Sequence, residues 1–382
     1  SQTYTFTELT PNTTYTFKVY AKDTLGYETN EESIEVTTNA YVNPTVNSVT
    51  VTDTTNDTIS ISVSASGGTN NVATYYYSIN NGAYTSSTSN TKTFTGLSLG
   101  TTYTIKVYVK DTNGVDSSVK TTSAQTENAV LLADYIKGLY TSQGTNGLYY
   151  HTSSLANSAA DNSYRYAGAS PNNYVCFGSD ASTCPSGNLY RIIGVFGNEV
   201  KLIKATSYGS YEWDSNFNNT WSTSSIRSVL NSTYLSTLSS TWQNKIATHT
   251  WKVGGMAYNN SYTAKQYYDV EVGSSSSSTT DPMKIGLMYV SDYGFAASNS
   301  YWTMRLYDYD SATSSNWLYL GSNEWTIARD SDYSDNAFRV SSGFVVINVV
   351  YGSFAVRPSF YLTSSTTYVS GSGTSSDPIL IN

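Results

Sequence analysis

One stretch of the chain occurs twice. TYTFTELTPNTTYTFKVYAKDTLG, from Thr3 to Gly26, returns as TKTFTGLSLGTTYTIKVYVKDTNG from Thr91 to Gly114, so that Phe6 recurs as Phe94 and Tyr15 as Tyr103, 88 residues on. A period of that length fits one β-sandwich module per repeat. Within each copy apolar and polar residues alternate, Tyr15, Phe17 and Val19 in the first and Tyr103, Ile105 and Val107 in the second. That is the period of a half-buried strand, one face against a core and one in water. Residues 44–126 then hold a complete module, with strands expected over 58–65, 73–79, 92–95 and 103–110. Residues 1–38 hold the last strands of a module before it. Half a sandwich exposes its inner face, so the chain is expected to be part of a longer array.

Composition narrows the setting. Only 13% of the 382 residues are charged, against roughly 25% in ordinary soluble proteins, while Thr, Ser, Asn and Tyr abound. That balance suits polar-surfaced sandwiches outside the cell. The net charge is −8, which offers no basic face for a phosphate backbone, so nucleic acid is not an expected partner. No apolar run approaches the roughly 18 residues of a membrane-spanning helix, and membrane insertion is not expected of this segment. Cys176 and Cys184 are the two cysteines. The loop between them is short and contains Gly178, which permits a disulfide; two free thiols in a reducing compartment is the alternative, and the composition favours the bridge.

After Thr126 the character changes. A helix is expected in a linker segment over 127–144, with Asn128 as N-cap and Leu131, Leu132, Tyr135, Ile136 and Leu139 on one face. From residue 145 to 382 a Tyr-rich α+β domain follows. Its clearest element is a hairpin, LYRIIGVFGNEVKLIK from Leu189 to Lys204, turned by Gly197-Asn198. A helix capped by Ser222 or Thr223 should bury Ile226, Val229 and Leu230, and Trp221, Trp242 and Trp251 are expected in the core. A strand is expected over 283–290 and a short helix from Ser291 to Ala297. The final compact segment, Asn316 to Leu362, brings two tryptophans, an acidic loop and an apolar hairpin closing on Ala355-Val356-Arg357-Pro358.

Two resemblances follow from these residues. Leu9 and Leu97 each precede a tyrosine by six positions, which resembles the tyrosine corner of fibronectin type III modules; the resemblance implies that the Tyr15 and Tyr103 hydroxyls bond back to the backbone. The ordered blocks LYRIIGVFGNEVKLIK, WSTSSIRSVLNSTYL, MKIGLMYVSDYGF, NWLYLGSNEW and FRVSSGFVV…YGSFAVRPSFYL resemble a bacterial surface domain of unknown function. That family is similar to the C-type-lectin-like fold of formylglycine-generating enzymes and retroelement variable proteins. The fold implied is multidomain: all-β fibronectin type III-like sandwiches (1–40 in part, 41–126 complete), then a C-terminal α+β C-type-lectin-like head over 145–382. Arg357 is expected to hold that head together through an internal salt bridge or carbonyl clamp. The active-site cysteines of the sulfatase-modifying relatives have no counterpart after Cys184, and the calcium-lectin tripeptides are absent.

Candidate chemistry is sparse. Asp330, Asp332 and Asp335, with Asp308 and Asp310 near in sequence, are hard oxygen ligands that could serve one Ca²⁺, but they lack the glycine and terminal glutamate of an EF-hand loop; a solvated acidic loop is the alternative, and no other cofactor is expected. Glu212, Asp214, Asp269, Glu271 and Glu324 could supply a glycosidase pair, yet their spacing selects none. The 36 tyrosines outnumber Trp and Phe together, and tyrosine-rich polar loops make good contact surfaces. Tyr319, Asn323, Trp325, Asp332, Tyr333 and Asn336 are therefore the candidate ligand-contacting residues. The expected function is a secreted binding or adhesion protein at a bacterial cell surface, with stalk modules presenting a head to a protein or glycan. A self-associating filament or layer subunit is the alternative, and a glycoside hydrolase a third.

Overall fold

The computed structural model describes residues 2–382, which divide into two compact units meeting at Ala129 and Val130. Each is described by itself.

Unit 1 contains a two-sheet sandwich. One sheet has strands Thr45–Thr54, Ile59–Ser66 and Thr91–Phe94; the other runs Thr85–Ser87, Val72–Ile79, Thr102–Asp111 and Lys120–Gln125, and neighbours are antiparallel. The alternation seen in sequence sets the core: Ile59, Ile61 and Val63 from the first sheet meet Tyr77, Ile105, Val107 and Val109 from the second. A three-plus-four antiparallel arrangement of this kind is a fibronectin type III-like sandwich. Tyr103 Oη accepts a 2.7 Å hydrogen bond from Ser98 N, and Tyr15 Oη accepts a 2.8 Å bond from Thr10 N, five residues back in each copy. The first copy of the repeat forms only the hairpin Thr14–Val19 with Glu32–Thr37, and its Val19 and Ile34 are 68% and 63% exposed.

Unit 2 is a mixed structure with two main sheets. The larger places Leu148–Tyr150, Tyr164–Tyr166, Leu189–Phe196, Glu199–Lys204, Ser359–Tyr361 and Ile285–Gly286 side by side, with Tyr174–Cys176 also on the third strand. The hairpin turn lies at Gly197, whose φ of +63° is the left-handed conformation that favours glycine. The second sheet has Gly209–Glu212, Ser353–Val356, Glu324–Arg329, Asn336–Ser341 and Phe344–Val349. Trp221, Trp242 and Trp251 are buried, as are Trp213, Trp302 and Trp325. Cys176 and Cys184 are joined by a disulfide.

Several elements differ from expectation. Val130–Leu131 is a short strand paired with Thr367–Ser370, and the helix runs only from Leu132 to Gly138 with Leu131 as an uncapped N-cap; pairing with the C-terminal strand claims the residues expected to open the helix, and Leu131 is left exposed. The cap of the helix over Ser225–Ser228 is Ser224, whose hydroxyl accepts from Arg227 N. Strands Thr280–Met283 and Ile285–Gly286 replace the strand expected over 283–290, and the short helix occupies Val290–Ala296, with Ser291 buried inside it. Among the described residues no helix is long and apolar enough to cross a membrane.

Candidate functional site

A cleft of about 190 Å³ opens on unit 2 between the larger sheet and two helices. Phe196 and Tyr361 come from the strands on either side of Glu199–Lys204, His249 and Lys252 from the strand His249–Lys252, Tyr268 from the helix Ala264–Glu271, and Tyr289 and Asp292 from the start of the helix Val290–Ala296. Asp161 and Arg165 close one side. The wall is thus aromatic, with charged groups set between the rings.

Those charges form a network. Arg165 donates from Nη2 to Asp161 Oδ2 at 2.6 Å, from Nε to Ser163 Oγ at 2.8 Å, and from Nη1 to Asp292 Oδ1 at 3.4 Å. Its guanidinium lies over the Phe196 ring, 4.6 Å from the centroid. Lys201 Nζ donates to Asp292 Oδ2 at 2.6 Å, with side-chain exposures of 0% and 1% for the two residues. Asp292 Oδ2 also accepts from Tyr289 N at 2.9 Å, so one carboxylate caps its own helix and binds two cations. Glu271 lies beside it, accepting from Val290 N, Ser291 N and Ser291 Oγ at 2.8 to 3.0 Å. His249 Nδ1 and Glu199 Oε2 are 2.9 Å apart, and the imidazole stacks on Tyr361 with centroids 3.7 Å apart.

Burial and pairing compete at each group. Burial raises the Asp161 carboxyl, but the Arg165 guanidinium and the Ser163 bonds outweigh it and hold it below the usual carboxylate range. Burial pushes Glu271 up to about 7 against three stabilising hydrogen bonds. Burial also lowers the Lys201 ammonium, opposed by Asp292, and lowers His249, opposed by Glu199.

The residues proposed from sequence lie elsewhere. Trp325 is fully buried; its Nε1 donates to Tyr211 O at 3.0 Å and its ring packs on Phe354. It belongs to the core, because the strand Glu324–Arg329 lies inside the second sheet between two neighbours. Tyr319 is half-buried against the core, and Asn323, half-buried, accepts from Ala355 N through its carbonyl. Tyr333 is 60% exposed and Asp332 is exposed, while Asn336 is half-buried in a strand. Trp317 is also buried, donating from Nε1 to Tyr166 O.

The carboxylates of the acidic loop do not gather as a group of three or more. Its backbone carbonyls at Asp330, Tyr333 and Asn336 all point at Asn219 Nδ2, 2.7 to 2.8 Å away, so an amide occupies the centre. Asp330 is buried, with Oδ1 accepting from Asp332 N and Oδ2 without a partner; Asp335 is half-buried and Asp308 pairs with Arg305. Among the described residues no group of three or more His, Cys, Asp or Glu is placed to hold a metal ion.

Of the other carboxylates proposed from sequence, Glu324, Asp214 and Asp269 are each engaged separately. Glu324 pairs with Arg357, whose Nε and Nη2 donate to its oxygens at 2.7 and 2.8 Å while Nη2 also reaches Leu318 O at 2.6 Å. Asp214 accepts from Ser225 N and Asn216 N, Asp269 pairs with Lys265, and Glu212 is exposed on its strand. Asp161, Arg165, Lys201 and Asp292 were not singled out from sequence. One signal was available: Lys201 interrupts the run Val200 to Ile203, otherwise apolar on both faces, where a lysine needs a buried partner.

No family model matches the chain, and no curated protein matches it. Among solved structures it is similar to the PKD1 domain of Vibrio anguillarum Epp, at 17% identity over 23% of this chain and 98% of that one, with a TM-score of 0.20. The rat CD45 extracellular domains d3–d4 match at 14% identity, 33% and 70% coverage, and a TM-score of 0.22. A fibronectin type III domain of human fibronectin type III domain containing protein 3 matches at 17% identity, 23% and 87% coverage, and a TM-score of 0.19. The sandwich assignment rests on the strand order of unit 1 itself.

Proposed function

We propose that the chain is part of an extracellular surface protein whose fibronectin type III-like sandwich carries a ligand-binding head, unit 2, and that the ligand is a saccharide held in the cleft. The observation that carries this reading is the cleft's wall of aromatic rings alternating with charged groups. Sugar rings present apolar C–H faces, which pack on Tyr268 and Phe196, and hydroxyls, which bond to groups such as Asp161 and Lys252. A volume of 190 Å³, below the roughly 300–1,000 Å³ of common ligand pockets, suits one sugar unit at a chain end. The disulfide is compatible with an oxidising, extracellular setting. Binding rather than hydrolysis is favoured because Asp161 and Asp292 are both committed to cations. The test is the intact chain on a glycan array, followed by calorimetric titration of hits. Lys252→Ala and Tyr268→Ala should each weaken binding by about tenfold or more; absence of saturable binding to any saccharide sinks the proposal.

A second reading, contact with a protein, has its own observation. Phe217 sits at φ +57°, a strained conformation for a side chain of its size, and its ring is 60% exposed, 4.8 Å from that of Tyr351. Asn219 ties this loop to the segment bearing Tyr333. If a protein is the partner, Phe217→Ala and Tyr333→Ala abolish capture while the cleft variants leave it intact. Self-association, expected from sequence as the alternative, would appear in light scattering as a mass that rises with concentration.

A further inference from the structure

We propose that Lys201 and Asp292 become joined by an intramolecular isopeptide bond, Nζ to Cγ, which covalently ties the strand Glu199–Lys204 to the helix Val290–Ala296. Three independent features of the site support it. First, the reacting groups are in contact: Nζ lies 2.6 Å from Oδ2, and Asp292 is the sole hydrogen-bond partner of Nζ among the described residues. The amine is held there by rings, those of Tyr289, Trp251 and Tyr361 lying 4.2, 4.9 and 5.2 Å from Nζ. Neither side chain can swing away without opening the core.

Second, burial lowers the Lys201 ammonium toward the neutral amine, opposed by Asp292. The step begins with transfer of one proton from Nζ to the carboxylate across their hydrogen bond, which gives a neutral amine beside a neutral acid. A desolvated lysine in that state is a nucleophile. The charge balance survives the reaction: before it, Arg165 and Lys201 face Asp161 and Asp292; after it, Arg165 remains paired with Asp161 at 2.6 Å. No orphaned charge is created.

Third, groups that assist acyl transfer are in place. As Nζ attacks Cγ, the oxyanion developing on Oδ1 faces the Arg165 guanidinium, while the Tyr289 N–H holds Oδ2, the departing oxygen. Glu271, buried nearby, accepts from Val290 N and from Ser291 N and Oγ, and so fixes the turn of helix that presents Asp292. The C–N bond forms and one C–O bond breaks; the departing Oδ2, already 2.6 Å from Nζ, takes one proton from the acid and one directly from the amine, and leaves as water. No oxidant or other reactant is required. Asp292 lines the cleft, which gives that water a way out.

The experiment is the intact mass of the purified chain with its disulfide closed, measured under denaturing conditions, followed by tandem mass spectrometry of a digest. The expected mass is lower than the sequence mass by one water and the two disulfide hydrogens, and the digest yields a branched peptide joining Lys201 to Asp292. Lys201→Arg should show only the loss of two hydrogens. Asp292→Ala should likewise show only the loss of two hydrogens; a water loss that persists in either variant would overturn the cross-link. A wild-type mass showing the disulfide alone, or a water loss mapped to a cyclic imide elsewhere, overturns the cross-link, whether or not any variant folds.

Discussion

In unit 1 the side chains that meet between the sheets, from Val46 to Val109, are apolar apart from the Tyr77 hydroxyl, which donates to Ser89 O, and Asp111 is the one charged side chain buried among its described residues. Unit 2 packs its larger core around Arg165, Lys201, Arg357, Glu271, Asp292 and Glu324, all below 9% exposure. The apolar core is held by contacts that any residue of similar volume could replace. The charged core is held by partners that must all be present together, since removing one strands another in a dry site. The same chain therefore contains one unit that should tolerate substitution and pH change, and one that should tolerate neither.

The largest expected effect separates the two directly. Arg357→Ala leaves Glu324 and the Leu318 carbonyl unpaired, and should cost about 3–5 kcal/mol, seen in calorimetry as a lower unfolding temperature for unit 2 with unit 1 unmoved. The converse is Ile105→Ala, which removes a fully buried side chain from unit 1 and should cost about 3 kcal/mol in that unit's transition alone. If either substitution shifts both transitions together, the units do not unfold separately and the comparison fails.

pH should divide the units as well. Glu271 is raised from 4.5 to about 7 in the folded state, so between those values the folded chain holds more protons than the unfolded one. Its contribution to stability is present below the lower value and lost as pH rises through the upper, a change of roughly 3 kcal/mol. Unit 2 should therefore melt lower at pH 8 than at pH 5, and Glu271→Gln should flatten that slope. In unit 1, Tyr41 and backbone bonds hold Asp111 below the usual carboxylate range despite its desolvation, so its effect falls at lower pH and unit 1 should be flat across the interval.

Reduction of Cys176–Cys184, whose residues are eight apart in sequence, removes a short loop constraint and should cost unit 2 about 2.5 kcal/mol, measured as the drop in its melting temperature on adding reductant. The smallest effect returns to the repeat. Val19 is the counterpart of the fully buried Val107 but is 68% exposed, so Val19→Ala should change stability by less than about 0.5 kcal/mol, within the error of a denaturant melt.

Much of the scaffold was legible because its signals are local. The four strands expected in the sandwich of unit 1 lie within a residue or so of those found, though Thr45–Thr54, Thr85–Ser87 and Lys120–Gln125 were not expected, and the Gly197 turn fixed the hairpin of unit 2. The short cysteine loop favoured the disulfide. The candidate site was far less legible. Trp325 lies in an aromatic, polar stretch that reads as a contact surface, and only its position inside a five-stranded sheet shows it to be core. Asn219 was passed over because its partners, the carbonyls at 330, 333 and 336, lie over a hundred residues away. Asp292 looked like one more polar residue near a helix start; its meaning depends on Lys201 and Arg165, which reach it from two other strands.

What the sequence by itself determined is therefore what neighbours along the chain can decide: strand periodicity, turn positions, a repeat and a small covalent loop. What only the tertiary structure decided is which faces are covered and which charges meet. Val19 and Val107 carry the same local pattern, and they differ because a second sheet covers one of them. Lys201 and Asp292 are ordinary residues until the larger sheet and the helix Val290–Ala296 close around them, remove the water and bring an amine against a carboxyl group. Desolvation is a property of the assembled core, and no stretch of sequence read alone contains it.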